Sequence, residues 1–198
     1  MDIKARKATI RREVLARILA MDPVSRLAQQ AALFHRFGGL PGFADVRTVL
    51  LYASAFAEEV DTGPMLRLAL DLGKRLILPT VDRPARRLRL FEVAEPRREL
   101  VRGLKGIPEP APGCREVDPT AVDWVLVPGL AFDDRCHRLG RGAGLYDRLL
   151  PRLRPDVPTW ALLFDSQWVE GLPVEPHDRE IEGAADHIRV VRRTGNFA

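Results

Sequence analysis

Thr48-Val49-Leu50-Leu51-Tyr52-Ala53 is a short, continuous apolar run with β-branched residues at its start, and its reading decides the fold. A run of this length with no polar alternation fits a strand buried on both faces of a sheet. A polar break follows, and then a helix-like stretch from Thr62 to Leu72. Gly73 and Lys74 turn the chain into a second apolar strand, Arg75 to Leu78, which Pro79 is expected to end. Two buried strands separated by one helix make a βαβ unit, whose crossover is right-handed and whose strands are parallel.

The same reading extends in both directions. Ile10, Val14, Leu15, Ile18 and Leu19 recur at helical spacing, predicting an amphipathic helix from about Lys4 to Met21 that Asp22 and Pro23 end. A second helix is expected over Ser25 to Phe37, stopped by Gly38 and Gly39. Beyond the βαβ unit, Arg86 to Val93 alternates apolar and charged residues, as a half-exposed strand does. Glu95 to Pro119 is rich in proline and glycine and reads as a long surface connection. Trp124 to Val127 and Thr159 to Phe164 are two more buried strands, a helix is expected from about Leu145 to Leu153, and Ile188 to Val191 is a last short strand. This order predicts a three-layer α/β/α protein with a mainly parallel, mixed sheet of Rossmann-like type, its functional loops at the carboxyl ends of the strands.

The 198 residues suit a single domain over 1–198 with a sizeable core. Hydrophobic residues make up 46% and charged residues 29%, the balance of a globular protein rather than a disordered one. The net charge is +4, with 27 Arg against only 4 Lys. The arginines are interleaved with Asp and Glu rather than gathered in a block, so no nucleic-acid partner is expected. Cys114 and Cys136 form no CxxC site. No leader-like apolar segment follows Met1, and no apolar run approaches the roughly 18 to 20 residues needed to span a bilayer, so a cytoplasmic protein without membrane attachment is expected.

The segment with most chemistry is Arg138-Leu139-Gly140-Arg141-Gly142-Ala143-Gly144-Leu145-Tyr146-Asp147. Glycines at alternate positions let backbone N–H groups form a concave nest for a polyanion, the helix beyond adds partial positive charge, and two arginines add full charges. It is neither a Walker A loop nor GxGxxG. There is no GxSxG or HExxH, and Cys136 beside His137 is weak evidence for a nucleophile. Read alone, Lys7 and Arg11 suit an exposed helix face, Asp147 a helix cap, Phe56 the core, and Tyr146 a structural hydrogen bond.

Pro128-Gly129-Leu130-Ala131-Phe132-Asp133 followed by Arg138 to Arg148 resembles the signature of the 5-formyltetrahydrofolate cyclo-ligase family. Lys7-Ala8-Thr9-Ile10-Arg11, Glu58-Glu59-Val60-Asp61-Thr62, Gly106-Ile107-Pro108-Glu109-Pro110 and Leu172-Pro173 through His177-Asp178 are similar to other family elements in the same order. The resemblance implies a Mg²⁺- and ATP-dependent cyclisation of 5-formyltetrahydrofolate to 5,10-methenyltetrahydrofolate, releasing ADP and phosphate. It implies ATP contacts from Lys7, Arg11, Arg138, Leu139, Gly140, Arg141, Gly142, Ala143, Gly144, Leu145 and Tyr146, with Arg141 and Tyr146 catalytic. Asp147 and Asp178 become Mg²⁺ ligands, and Ser54, Phe56 and Glu59 folate contacts. A monomer or weak homodimer is expected.

The sequence departs from the family pattern at Cys136, where Gly is usual, at Leu145, where an aromatic is usual, and at Ala185-Asp186, where Thr-Glu is common. These departures keep two alternatives open: a paralogue that binds nucleotide or folate without turnover, or one acting on another substrate. A sugar-phosphate isomerase-like enzyme of similar layering is a third, needing no ATP.

Overall fold

The computed structural model describes residues 2–103 and 106–193. Two helices lead, α1 (Ile3–Leu19) and α2 (Pro23–Phe37), the second capped by the Asp22 carboxylate, which accepts from Ser25 N. Then come β1 (Thr48–Leu50), α3 (Gly63–Asp71), β2 (Arg75–Asp82), β3 (Arg87–Glu92), α4 (Pro96–Glu99), β4 (Leu100–Arg102), β5 (Pro108–Pro110) and β6 (Glu116–Val117). The chain continues through β7 (Trp124–Leu126), β8 (Ala131–Phe132), β9 (Arg138–Leu139), α5 (Leu145–Leu149), β10 (Thr159–Leu162), β11 (Gly183–Ala185) and β12 (Val190–Arg192).

The main sheet has the order β12-β11-β10-β7-β1-β2-β3-β6. Strands β2, β1, β7, β10 and β11 are mutually parallel, while β12, β3 and β6 are antiparallel additions at the two edges. Numbered in chain order, the parallel strands run 2-1-3-4-5, so the winding direction reverses between β1 and β7. A crevice opens at the carboxyl ends of two strands that diverge in this way.

The pleat divides the core in two. Val49, Leu51, Leu76, Leu78, Trp124, Leu126, Trp160 and Leu162 face α1, α2 and α3, meeting Val14, Ile18, Leu33, Phe37 and Met65. Leu50, Ile77, Val125, Val127, Ala161 and Leu163 point the other way, against Leu149, Leu153 and Val157. Side chains alternating across a sheet that is covered on both sides make the continuous apolar runs of the sequence, and this is the three-layer arrangement expected.

Three expectations are corrected. Pro79 does not end β2, which continues to Asp82. Leu51 N donates to Ile77 O, so the Pro79 nitrogen faces the same side as Ile77, where β1 has already ended and no donor is required. The stretch Glu95–Pro119, of which Leu104 and Lys105 lie outside the described residues, is not unstructured: it holds α4, the β4–β5 hairpin and β6, which pairs with β3. The helix expected to Leu153 is α-helical only to Leu149 and closes as a tight 3₁₀ turn over Leu150–Arg152.

Candidate active site

A cavity of about 400 Å³ lies where the winding reverses, bounded by Pro128 and Gly129 after β7, by Glu58 and Glu59 in the loop after β1, by α1, and by the glycine-rich segment between β9 and α5. Gly142 at φ 99 and Gly144 at φ 63 require left-handed backbone, which explains two of the three alternate glycines. Arg148 holds this loop from behind, donating to Ala143 O and Arg86 O at 2.7 Å each. α5 has five residues, so it aligns fewer peptide dipoles than the sequence suggested, and the full charges matter more here.

Five cations line the cavity (Lys4, Lys7, Arg11, Arg138, Arg141) against five carboxylates (Glu58, Glu59, Asp147, Glu175, Asp178). A site for a bare polyanion would carry an excess of positive charge; this balance suits a polyanion bound together with a divalent cation. Lys7 is not on an exposed face. It shares the inward stripe of α1 with Val14 and Ile18, is 6% exposed, and donates to Asp178 Oδ2 at 2.5 Å and Glu175 Oε2 at 2.7 Å. Burial lowers the affinity of its amine for the proton, but the two carboxylates outweigh this and raise its pKa. Asp178 is the mirror case: burial opposes its charge, yet Lys7 and Glu175 N hold it below the usual carboxylate range.

Arg11 Nε donates to Gly140 O at 2.8 Å and so fixes the start of the loop. Arg138 is buried, with Nη2 2.7 Å from Asp147 Oδ1, while its Nε has no hydrogen-bond partner among the described residues. Burial pushes its guanidinium below the usual value, the Asp147 charge pulling the other way. The buried Tyr146 hydroxyl is likewise without a partner among the described residues, and burial raises its pKa. Unpartnered buried donors are costly unless a ligand completes them.

Asp147 and Asp178 are brought together through Arg179 N, which donates to Asp147 Oδ1 at 3.2 Å. Each spends one oxygen on protein donors. Among the described residues no hydrogen bond reaches Asp147 Oδ2 or Asp178 Oδ1, so each carboxylate keeps one hard oxygen that could serve a cation such as magnesium, which keeps waters and borrows phosphate oxygens. Glu175 and His177 stand with Asp178, their ligand atoms within 4.8 Å of one another.

The expected folate contacts divide. Glu59 lines the cavity, but its Oε2 accepts from Ala55 N and Phe56 N at 2.8 and 3.2 Å, shaping its own loop. Phe56 meets the site through Arg141, whose guanidinium lies 4.0 Å from the ring centroid. Ser54 opens instead onto a second cavity of about 470 Å³, with Asp61, Thr62, Arg67, Arg97 and Pro108. Sequence reading singled out neither Asp61 here nor Lys4, Glu58, Glu175 and His177 in the first cavity as site residues. Charged residues are expected on any surface, and only the tertiary fold shows which of them turn inward.

The departures from the family pattern fall mostly away from the cavity. Cys136 takes φ 63, so the turn keeps the backbone that glycine favours. It is fully buried, which pushes its thiol up to about 11, and the neighbouring His137 ring is occupied by Asp133, so a Cys–His nucleophile is not formed. Ala185 is fully buried in β11, and Asp186 caps the turn before β12 by accepting from Ile188 N and Arg189 N. Only Leu145 lines the cavity. Among the described residues no helix is long and apolar enough to cross a membrane.

Comparison with known proteins identifies the family. The family model for the 5-formyltetrahydrofolate cyclo-ligase family matches residues 3–185. The Escherichia coli K12 5-formyltetrahydrofolate cyclo-ligase is 34% identical over 82% of this chain and 88% of its own length. The Arabidopsis thaliana mitochondrial 5-formyltetrahydrofolate cyclo-ligase is 31% identical over 93% of this chain and 75% of its own. The solved structure of Aquifex aeolicus 5,10-methenyltetrahydrofolate synthetase superposes with a TM-score of 0.83 at 31% identity, covering 97% of this chain and 95% of that one. With the match running through α1, the glycine-rich loop and β11, the chain belongs to the 5-formyltetrahydrofolate cyclo-ligase family.

Proposed function

We propose that this chain catalyses the ATP-dependent closure of 5-formyltetrahydrofolate to 5,10-methenyltetrahydrofolate. The formyl oxygen attacks the γ-phosphorus of ATP and the bond to the bridging oxygen breaks, releasing ADP. The neighbouring folate nitrogen then attacks the activated formyl carbon, loses its proton, and expels phosphate. The observation that carries the reading is the charge-balanced cavity at the β1/β7 reversal, built by the residues through which the family match runs.

Phosphoryl transfer asks a protein for alignment and charge neutralisation more than for covalent chemistry. Lys7, Arg11, Arg138 and Arg141 face the ATP phosphates, and the backbone from Leu139 to Leu145 wraps them. The orphaned Tyr146 hydroxyl donates to a transferring oxygen. Asp147 Oδ2 and Asp178 Oδ1 are the oxygens that hold magnesium, which when bound draws off charge developing on the phosphoryl group. Folate lies across the loop after β1, its pterin donors on the Glu59 or Asp61 carboxylate and its plane near Phe56, with Ser54 at the opening of the second cavity. The protein works as one unit in the cytoplasm, as a monomer or weak homodimer, with no nucleic-acid or membrane partner.

The test is the absorbance of the methenyl product from purified protein with 5-formyltetrahydrofolate and Mg²⁺, with and without ATP. The chromophore appears only with ATP. No product from folded protein that binds ATP would overturn the reading.

A further inference from the structure

Glu58 is 9% exposed, an uncommon placement for a carboxylate in a loop. Its Oε1 accepts from Arg141 Nη2 at 2.5 Å. The same guanidinium lies 4.0 Å above the Phe56 ring, and Glu59 Oε1 stands 3.4 Å from the same Nη2. Glu59 is already committed to Ala55 N and Phe56 N, so Glu58 provides the short contact that fixes Arg141. Among the described residues, Arg141 Nε and Nη1 donate to nothing.

A guanidinium is a planar fork. With one nitrogen held by Glu58 and the guanidinium carbon over the Phe56 ring, the donors left on Nε and Nη1 have fixed directions. The Arg141 side chain is 40% exposed and belongs to a loop of glycines, so without such an anchor it would sample many rotamers. The two anchors come from the loop after β1 and the guanidinium from the loop after β9, so the contact joins the two segments that meet at the cavity.

We propose that Glu58 is a positioning residue for phosphoryl transfer: it holds one nitrogen of Arg141 so that the remaining donors of the guanidinium meet the phosphate. This rests on the reading of the cavity as the ATP site. When phosphate arrives, Arg141 keeps Glu58 on Nη2 and gives the ligand donors that Glu58 does not use, so no ion pair has to break.

The test compares Glu58→Ala, Glu58→Gln, Arg141→Ala and the double variant Glu58→Ala/Arg141→Ala by calorimetric titration with MgATP and by steady-state turnover. Glu58→Ala is expected to weaken MgATP binding about tenfold and to lower kcat, with the KM for folate changed less than about twofold. Glu58→Gln, which keeps a hydrogen-bond acceptor, recovers part of the loss. In the Arg141→Ala background, removal of Glu58 changes binding by less than about twofold, because the residue acts only through Arg141. Unchanged MgATP affinity in Glu58→Ala, or equal losses with and without Arg141, overturns the proposal alone. Failure of the unaltered protein to bind MgATP overturns the reading of the cavity as well.

Discussion

The Lys7 ammonium on α1 is 2.5 Å from the Asp178 carboxylate, two groups 171 positions apart in the chain. The pair draws the first helix onto the segment after β10 and sets an amine in the wall of the cavity. The pKa of Lys7 is raised and that of Asp178 lowered, so both charges persist throughout the neutral range.

Lys7→Met leaves Glu175 and Asp178 facing each other with no cation between them. We expect a loss of about 2 kcal/mol in unfolding free energy, the scale of hydrogen bonds to charged groups. Millimolar Mg²⁺ should restore part of it, since an ion that binds the paired carboxylates stabilises the folded state by mass action. Thermal unfolding with and without Mg²⁺ checks this: the metal-induced rise should be larger in Lys7→Met than in the unaltered protein. Equal rises would separate Lys7 from the metal ligands.

A second carboxylate governs behaviour in acid. Asp133 is 1% exposed and accepts from Leu172 N, Arg135 N, His137 N and His137 Nδ1. Burial works against its charge, but the Leu172 backbone bond and the His137 contacts outweigh it and hold the pKa below the usual carboxylate range. A carboxylate depressed by folding contributes its full stabilisation above its unfolded value, near 4, and loses it as the pH falls through the lower folded value. Asp133→Asn should therefore cost about 3 kcal/mol at neutral pH. In urea unfolding the gap between the two proteins should narrow below about pH 4. A gap independent of pH would mean that shape, not charge, matters at Asp133.

Much of the architecture was legible because Thr48–Ala53, Trp124–Val127 and Thr159–Phe164 carry continuous apolar runs, the mark of strands covered on both faces. β11 was not, since Gly183-Ala184-Ala185 has neither β-branched nor large residues, and its membership is set by neighbours on both sides. β4 and β5 were obscured by Pro108 and Pro110, which read as loop signals although they sit in a two-stranded hairpin. In the site, the glycines announced the loop because their backbone angles demand them. The carboxylates Glu58 and Glu175 looked like any other surface charge, and Lys7 and Arg11 were marked only by the family resemblance.

The two thiols should separate cleanly. Cys136 is fully buried, its Sγ lies 3.8 Å from Glu182 O, and burial followed by the Asp133 charge raises its pKa to about 11. Cys114 is only half-buried. A disulfide reagent applied near pH 8 should modify one thiol per native chain and a second only after denaturation. Cys114→Ser should abolish the native reaction. Rapid modification of both thiols in the native protein would contradict the burial of Cys136.

Gly183 offers the sharpest test of packing. A Cβ there would stand 2.5 Å from two ring carbons of Trp160 and 2.8 Å from Val191 O. Trp160 is fully buried in the central core, and Val191 O belongs to the backbone of the paired strand β12, so neither neighbour can swing aside. Overpacking of this kind costs typically about 1–3 kcal/mol. In a chain of this size that lowers the melting temperature by roughly 2–4 °C per kcal/mol. Gly171, where an added methyl carbon would meet nothing within 4 Å, is the matched control. Gly171→Ala should stay within about 0.5 kcal/mol of the unaltered protein. A Gly183→Ala variant that melts with the control would mean that β10 and β12 can part to admit a methyl group, and that β11 is held by its backbone ladder rather than by the fit of Trp160 against it.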